Sequence, residues 1–231
     1  MATKITDNDN FIHQFSFSAR TKPVKSIESL FLLLIPYSKE ILVPKNTIYR
    51  INNFVDGKGI LLISDGIGTV IHAEKDYHIC TAYPPTILGL VGGYSAFYEI
   101  PHDMNHDLSL YADTDLTCFF IPLEKFVEVM DQNNSWHDVS RILAHRLMIM
   151  ISKDSEHVEG NTYQKIKTLI YEVWSYPTEY RLQINLPNFI QKRTGISRSR
   201  VMKILMDLRQ GGYIEVTNGK LRLVSKLPQN Y

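Results

Sequence analysis

The sequence is poor in cysteine, with only Cys80 and Cys118 among 231 residues. Two thiols far apart in the chain cannot form a cysteine-only zinc or iron–sulfur site, and they provide no disulfide framework. We therefore expect two free, buried thiols and no cofactor.

Long hydrophobic runs are also absent. The longest candidate covers residues 30–35 and stops at Pro36, far short of the roughly 18 apolar residues that indicate a membrane span. The first seven residues lack the apolar core of a signal peptide. These absences predict a cytoplasmic protein that has no membrane partner.

Net charge is nearly missing as well, because the chain as a whole carries only +1. The charges are unevenly distributed, however. Residues 185–226 hold nine lysines and arginines against two acidic residues, a balance of +7, which leaves 16 positive and 22 negative residues, or −6, elsewhere. Such asymmetry favours a polyanion as the partner of the C-terminal part, since phosphate neutralisation drives much of the affinity for DNA.

The first half of the chain has the pattern of short strands separated by turns. The segments are rich in β-branched and large apolar residues, and Gly, Pro, Asn and Asp punctuate them. Several short strands at near-regular spacing predict a sandwich or barrel. The predicted strands are 41–43, 47–49, 59–63, 69–71, 107–112 and 116–121.

From Leu123 the apolar period becomes helical. A helix of ~20 residues is predicted from about Trp136 to Glu156, and it would span roughly 30 Å, more than one short barrel face needs. We therefore expect a homodimer in which this helix forms the seam. The residues predicted at that seam are Val139, Leu143, Leu147 and Met150.

A helix-turn-helix pattern follows between Ile184 and Leu205. The first helix is predicted from about Leu186 to Thr194, Gly195 supplies a left-handed residue at the turn, and Ser197 caps the second helix. A hairpin is then predicted around Asn218-Gly219, because this pair between alternating apolar runs is a strong turn signal. Helix, turn, basic helix and hairpin together predict a winged helix-turn-helix.

The second helix of this motif carries polar side chains away from its apolar face, near its N-terminus, where recognition helices contact base edges of double-stranded DNA. Arginine there can make two hydrogen bonds to guanine. The predicted DNA-binding residues are Arg198, Ser199, Arg200 and Lys203, with backbone contacts from Lys192 in the first helix and Lys220 in the wing.

Residues 195–205, Gly-Ile-Ser-Arg-Ser-Arg-Val-Met-Lys-Ile-Leu, resemble the recognition motif of the CRP/FNR superfamily of regulators. Segments 191–201, 213–215 and 227–231 look most like the group called inhibitors of hydrogen peroxide resistance. The resemblance implies an α+β fold: a cyclic-nucleotide-binding-like β-roll with an N-terminal helical segment (1–132), a dimerisation helix (133–157) and a winged helix-turn-helix (158–231). It also implies transcription regulation, with a possible link to oxidative stress and RNA polymerase as a further partner.

The effector pocket departs from the family pattern. Cyclic-nucleotide binders carry a Gly-Glu-Leu segment and an Arg-Ser pair that binds the cyclic phosphate. In the corresponding places this chain has residues 87–93, Ile-Leu-Gly-Leu-Val-Gly-Gly, which contain no carboxylate, and His106-Asp107. An aspartate would repel a phosphate rather than pair with it. We expect no dependence on cAMP or cGMP, and the effector, if there is one, is unknown.

One alternative stays open. His102 and His106, with Asp103 between them, could hold a metal, which would suit a ligand- or metal-binding β-barrel whose C-terminal domain contacts protein. Solvated loop histidines are the simpler interpretation. No Gly-x-Ser-x-Gly nucleophile motif occurs, so we expect no enzymatic activity.

Overall fold

A computed structural model describes residues 21–50, 59–72, 77–91, 108–157 and 161–230. The chain divides into two compact units. One spans Pro23–Ala144, and the other contains the described residues from His145 onward. The predicted domain limits at 132/133 and 157/158 stay a prediction.

The first unit contains eight described strands in two antiparallel sheets. The sheet orders are β1-β8-β3-β6 and β2-β7-β4-β5. The strands are β1 Lys39–Val43, β2 Ile48–Arg50, β3 Gly59–Asp65, β4 Gly68–His72, β5 Tyr77–Ala82, β6 Thr86–Leu88, β7 Leu108–Ala112 and β8 Leu116–Pro122. The helices with described bounds in this region are α1 Val24–Leu34, a 3-10 turn Ile35–Tyr37, α2 Leu123–Gln132 and the start of α3, Trp136–His157.

Strand β3 is buried on both faces, which explains its continuous apolar run. Ile60 and Leu62 belong to a core shared with α1, α2 and α3, whereas Leu61 and Ile63 belong to a second core lined by β1, β4, β7 and β8. Alternate residues of a strand point to opposite faces, so this strand contributes to both cores. The first sheet therefore lies between the second sheet and a helical layer.

The second unit is built from four helices and a hairpin beyond α3. The elements are α4 Thr162–Ser175, α5 Thr178–Arg181, α6 Leu186–Thr194, α7 Arg198–Gln210, β9 Ile214–Thr217 and β10 Lys220–Val224. Side chains from all three longer helices are fully buried, among them Ile170, Ile190 and Ile204. Among the described residues, no helix is long and apolar enough to cross a bilayer.

The predicted architecture is confirmed, with additions. Strands β5 and β6 and the short helix α5 were not predicted, because their sequences are short and mix polar with apolar residues. The segment Pro84-Pro85 separates β5 from β6 and contains a cis peptide bond.

Candidate nucleic-acid interface

The turn between α6 and α7 is held by local signals that the sequence displays. The Asn185 side chain accepts a hydrogen bond from the Asn188 backbone N–H and caps α6. Gly195 then takes a left-handed conformation with φ 67°, which costs glycine little because it has no Cβ. The Ser197 hydroxyl accepts from the Arg200 backbone N–H at 3.4 Å and caps α7. These caps orient α7 against α6.

The apolar face of α7 packs inward as predicted. Val201, Ile204, Leu205 and Leu208 are all buried to 3 % exposure or less. Burying such side chains contributes roughly 1.5–3 kcal/mol each. The helix is therefore fixed by its apolar side, and its opposite side is available to a partner.

The outward side of α7 carries the four residues predicted to bind DNA, and all four are exposed: Arg198, Ser199, Arg200 and Lys203. At about 100° of rotation per residue, Ser199 and Lys203 project most directly away from the buried face. Arg198 projects toward one flank, where its Nη1 donates to Asn188 Oδ1 at 3.1 Å. Arg198 thus lies at the junction of the two helices of the motif.

Two of these cations have no ion pair within the described ranges. Neither Arg200 nor Lys203 has an acidic partner there. Unpaired exposed cations retain their full positive potential, and this potential attracts a polyanion over several ångströms. The N-terminal end of α7 adds the partial positive charge of its free backbone N–H groups.

The wing turn is tied to the start of α6. Asn218 and Gly219 both have positive φ, 52° and 76°, as a two-residue hairpin turn requires. The Leu186 backbone N–H donates to the Gly219 carbonyl at 2.8 Å. The Lys220 ammonium donates to the Gln183 carbonyl at 2.5 Å, so this side chain anchors the wing.

The wing contains a β-bulge that the sequence does not predict. Leu221 is opposite Val216 and Leu223 is opposite Glu215, so Arg222 is the extra residue. A bulge changes the direction in which neighbouring side chains point. Arg222 and Leu223 are consequently both exposed, and Arg222 has no ion pair within the parts of the chain that are described. Simple strand alternation could not have identified this cation.

The last turn of α6 carries two more basic residues. Lys192 is exposed, as expected for a contact to the DNA backbone. Arg193 instead lies over the Phe189 ring, with its guanidinium carbon 3.4 Å from the ring centroid, and is half-buried. A cation–π contact of this kind stabilises the helix end rather than leaving the charge free.

The C-terminal residues form a strap along α4. Tyr163 Oη and Lys167 Nζ both donate to the Pro228 carbonyl, at 2.8 and 2.9 Å, and the Leu227 N–H donates to Tyr171 Oη. Burial lowers the pKa of Lys167, which is only 2 % exposed, and raises the pKa of Tyr163 to about 12. Sequence reasoning missed Lys167, since a single lysine in a helix does not show that it is buried.

The predicted seam residues on α3 have two different environments. Val139 is 4 % exposed and packs in the core of its own protomer, so its side chain is not available to a partner. Leu143, Leu147 and Met150 are exposed, the last two by 58 % and 65 %. The apolar surface that could pair with a second copy therefore begins at Leu143.

The two thiols and the segment that corresponds to the effector pocket lie in the first unit. Cys118 is fully buried in β8, and burial raises its pKa to about 12, whereas Cys80 is half-buried. Leu90, in the place of the family's ribose carboxylate region, is buried. The segment 102–107, which includes both loop histidines and His106-Asp107, is outside the described residues.

Residues 162–229 match a protein family described as winged helix-turn-helix DNA binding. These residues are therefore similar to a winged helix-turn-helix DNA-binding domain, and the chain has the fold of solved CRP/FNR-type regulators. The match covers the capped turn, the basic helix α7 and the wing, which are the parts from which the sequence predicted DNA binding.

Two groups of relatives extend the comparison beyond this domain. The chain is 29 % identical over 177 residues to the inhibitor of hydrogen peroxide resistance of Escherichia coli K12, covering 77 % of this chain and 82 % of that protein. It is 25 % identical over 170 residues to the Salmonella typhimurium protein of the same name, covering 74 % and 78 %.

The solved structures share the fold at low identity. The c-di-GMP responsive global regulator CLP of Xanthomonas campestris superposes with a TM-score of 0.65 at 16 % identity, over 86 % of this chain and all of that one. A mutant of CooA from Carboxydothermus hydrogenoformans gives 0.59 at 15 % identity, over 84 % and 86 %. A regulator of the CRP/FNR family from Eubacterium rectale gives 0.57 at 15 %, over 89 % and 95 %.

Proposed function

We propose that this regulator binds a specific operator as a homodimer, without a cyclic nucleotide, and controls genes of the peroxide response. The observation that carries the proposal is the exposed polar side of α7, which presents Arg198, Ser199, Arg200 and Lys203. Neither Arg200 nor Lys203 has an acidic partner among the residues that the structure describes. Such a helix fits the major groove, where side chains near its N-terminus contact base edges.

The six predicted residues have distinct roles in this proposal. Arg198, Ser199 and Lys203 contact bases or the nearest phosphates, and Arg200 and Lys192 contact phosphates. Lys220 holds the wing through the Gln183 carbonyl. Arg222, exposed at the bulge, is the wing cation that is free to meet a phosphate.

The dimer is proposed from the exposed apolar stripe on α3. Leu143, Leu147 and Met150 follow one another at spacings of four and three, which places them on one side of the helix. A second copy of the same helix would cover this stripe. The two recognition helices would then read half-sites about 34 Å apart, one turn of DNA.

The dimer proposal is tested by sedimentation of Leu147→Glu against a matched control. Leu32→Glu places the same charge at another exposed leucine, 78 % exposed on α1 and outside the stripe. We expect Leu147→Glu to sediment as a monomer and to lose affinity for a two-half-site operator, while Leu32→Glu stays dimeric. A parent chain that is monomeric at micromolar concentration yet binds with full affinity would contradict the proposal.

Independence from cyclic nucleotides is proposed because no carboxylate occupies the ribose-binding place, where the sequence reads Gly89-Leu90-Val91. Calorimetry with cAMP and with cGMP should show no binding heat. Micromolar or tighter binding of either nucleotide would contradict this part. RNA polymerase is the partner through which the bound dimer would act on transcription.

The link to peroxide is proposed from the names of the relatives, and the thiols suggest where that link lies. A sensing cysteine is exposed and has a lowered pKa, whereas Cys118 is buried and its pKa is raised. We therefore place the link in the genes that are regulated, not in oxidation of this chain. Mapping bound genomic sites with and without peroxide tests both parts.

DNA binding itself is tested with duplexes selected from a random pool. We expect affinity for the selected duplex to fall steeply between 50 and 200 mM salt, because cations on the protein release counterions from the phosphates. Affinity that is weak and independent of salt would contradict the proposed function.

A further inference from the structure

Met202 is an apolar side chain in an unexpected place. It lies on the basic helix α7, is 45 % exposed, and stands beside exposed Arg198 and Lys203. The core side of the helix is already complete without Met202, since Val201 and Leu205, which project about 100° and 60° from it on the same side, are buried. The packing of its own protomer therefore does not explain Met202.

The position of Met202 brings it into the DNA-reading part of the helix. At about 100° per residue, its projection lies between those of Arg198 and Ser199, about 40° from the first and 60° from the second. At 1.5 Å per residue it is about 6 Å beyond Arg198 along the axis. A recognition helix contacts base edges with its N-terminal residues, and Met202, in the second turn of α7, lies within the part of the helix that would enter the groove.

The chemistry of the major groove limits which base group a methionine side chain can contact favourably. Hydrogen-bond donors and acceptors line the base edges, and the C5-methyl of thymine is the apolar group among them. Methionine is flexible and polarizable and can follow such a methyl. Opposite guanine or cytosine, the same side chain would leave polar edges without partners.

We infer that Met202 contacts the C5-methyl group of one thymine in each operator half-site and so selects a T·A pair at that position. The inference rests on the proposed function and names one residue of its specificity. Arg198 and Lys203 provide polar and electrostatic contacts beside this apolar one.

Met206 provides a matched control on the same helix. It is 50 % exposed, but it lies about 12 Å beyond Arg198 along the axis. It also borders a groove between the end of α7 and β9, lined by Arg209, Ile214 and Val216. Met206 is therefore too far along the helix for the base-reading contact.

The experiment uses the full chain and a duplex selected from a random pool. Each thymine of one half-site is replaced in turn by deoxyuridine, which lacks only the C5-methyl. We expect the parent to lose about fourfold in affinity at one position, the worth of one buried methyl group. Met202→Ala should bind the unmodified duplex about as weakly as the parent binds that uridine duplex, and should be insensitive to the replacement. Met206→Ala should respond like the parent.

Three results would overturn the inference. They are a parent with no position sensitive to uridine, a Met202→Ala variant that keeps the sensitivity, and a Met206→Ala variant that loses it. Met202 is exposed, so circular dichroism and thermal unfolding should match the parent and exclude misfolding as the cause. If the parent binds no duplex at all, the proposed function fails, whereas an unchanged Met202→Ala response removes the thymine contact alone.

Discussion

The β-roll unit and the winged helix-turn-helix differ in how far apart along the chain their packed partners lie. Strand β1 at residues 39–43 pairs with β8 at residues 116–122, and β3 pairs with the same strand. The helices α6 and α7 and the wing all lie within residues 186–224. Local signals are therefore sufficient to define the interface in one unit, whereas the other depends on pairing between distant segments.

The same two regions also differ in what they do with polar groups. In the β-roll, Thr69, Asp113 and Thr114 are buried, and the Thr69 hydroxyl donates to the Asp113 carboxylate at 2.5 Å. In the winged helix-turn-helix, Arg200, Lys203 and Arg222 stay exposed without acidic partners in the described part of the chain. The three β-roll side chains serve internal structure, whereas these three cations of the winged helix-turn-helix stay accessible to a partner.

The largest expected effect separates the cores of the two regions. Ile60→Ala and Ile204→Ala each remove a side chain that is 0 % exposed, so each should lower the free energy of unfolding by about 2–5 kcal/mol. Only Ile204→Ala should weaken DNA binding by the folded protein, since Ile204 supports α7. Urea unfolding and fluorescence anisotropy measure the two effects. Equal loss of DNA affinity in the folded fractions of both variants would contradict the separation.

The next effect distinguishes base contacts from phosphate contacts within the interface. Arg198→Ala or Lys203→Ala should cost about 1–3 kcal/mol of binding and relax preference at one operator position. Lys192→Ala and Arg222→Ala should each lower the affinity for DNA of every sequence to the same extent. Each should also reduce the slope of log affinity against log salt concentration by about one unit. Competition binding with a panel of single-base operator variants measures both properties. An identical preference profile in all four variants would contradict the division.

A smaller effect is expected on stability from Lys220 in the wing. The sequence predicts that Lys220 contacts a phosphate, whereas in the structure it holds the wing in place. Lys220→Ala removes the hydrogen bond to the Gln183 carbonyl and should lower the free energy of unfolding by about 1 kcal/mol. Arg222→Ala is the matched control and should leave stability unchanged, because its side chain is exposed. Thermal unfolding of the two variants checks this. If Lys220→Ala keeps full stability and lowers only the salt slope, the original prediction of a phosphate contact is correct.

The smallest effect is expected from the thiols. Because burial raises the pKa of Cys118 to about 12, the thiol stays protonated in the folded chain at neutral pH. The stabilisation linked to this proton is complete below the unfolded-state pKa of about 8.5 and is lost as the pH rises toward 12. Cys118 should therefore react with iodoacetamide only after unfolding, and the double Cys→Ser variant should bind DNA like the parent under peroxide. Loss of a peroxide response in that variant would show thiol sensing.

How well the sequence predicts a feature depends on how far apart in the chain the residues that determine it lie. Gly195 and Ser197 predicted the end of α6 and the start of α7 because a cap acts within three or four residues. The bulge at Arg222 could not be predicted, because it depends on which residue of β9 lies opposite. The burial of Lys167 under the C-terminal strap likewise depends on contacts about 60 residues away in the chain.

The most direct test of the account is the affinity of the Arg198→Ala/Lys203→Ala double variant for the selected duplex, measured by anisotropy at two salt concentrations. Both side chains are exposed, and the Arg198 hydrogen bond to Asn188 lies at the surface, so the variant should unfold close to the temperature of the parent. We expect at least a tenfold loss of affinity, with a strongly reduced preference for the selected duplex over random DNA. Parent-like affinity and preference in the folded double variant would contradict the claim that α7 reads DNA.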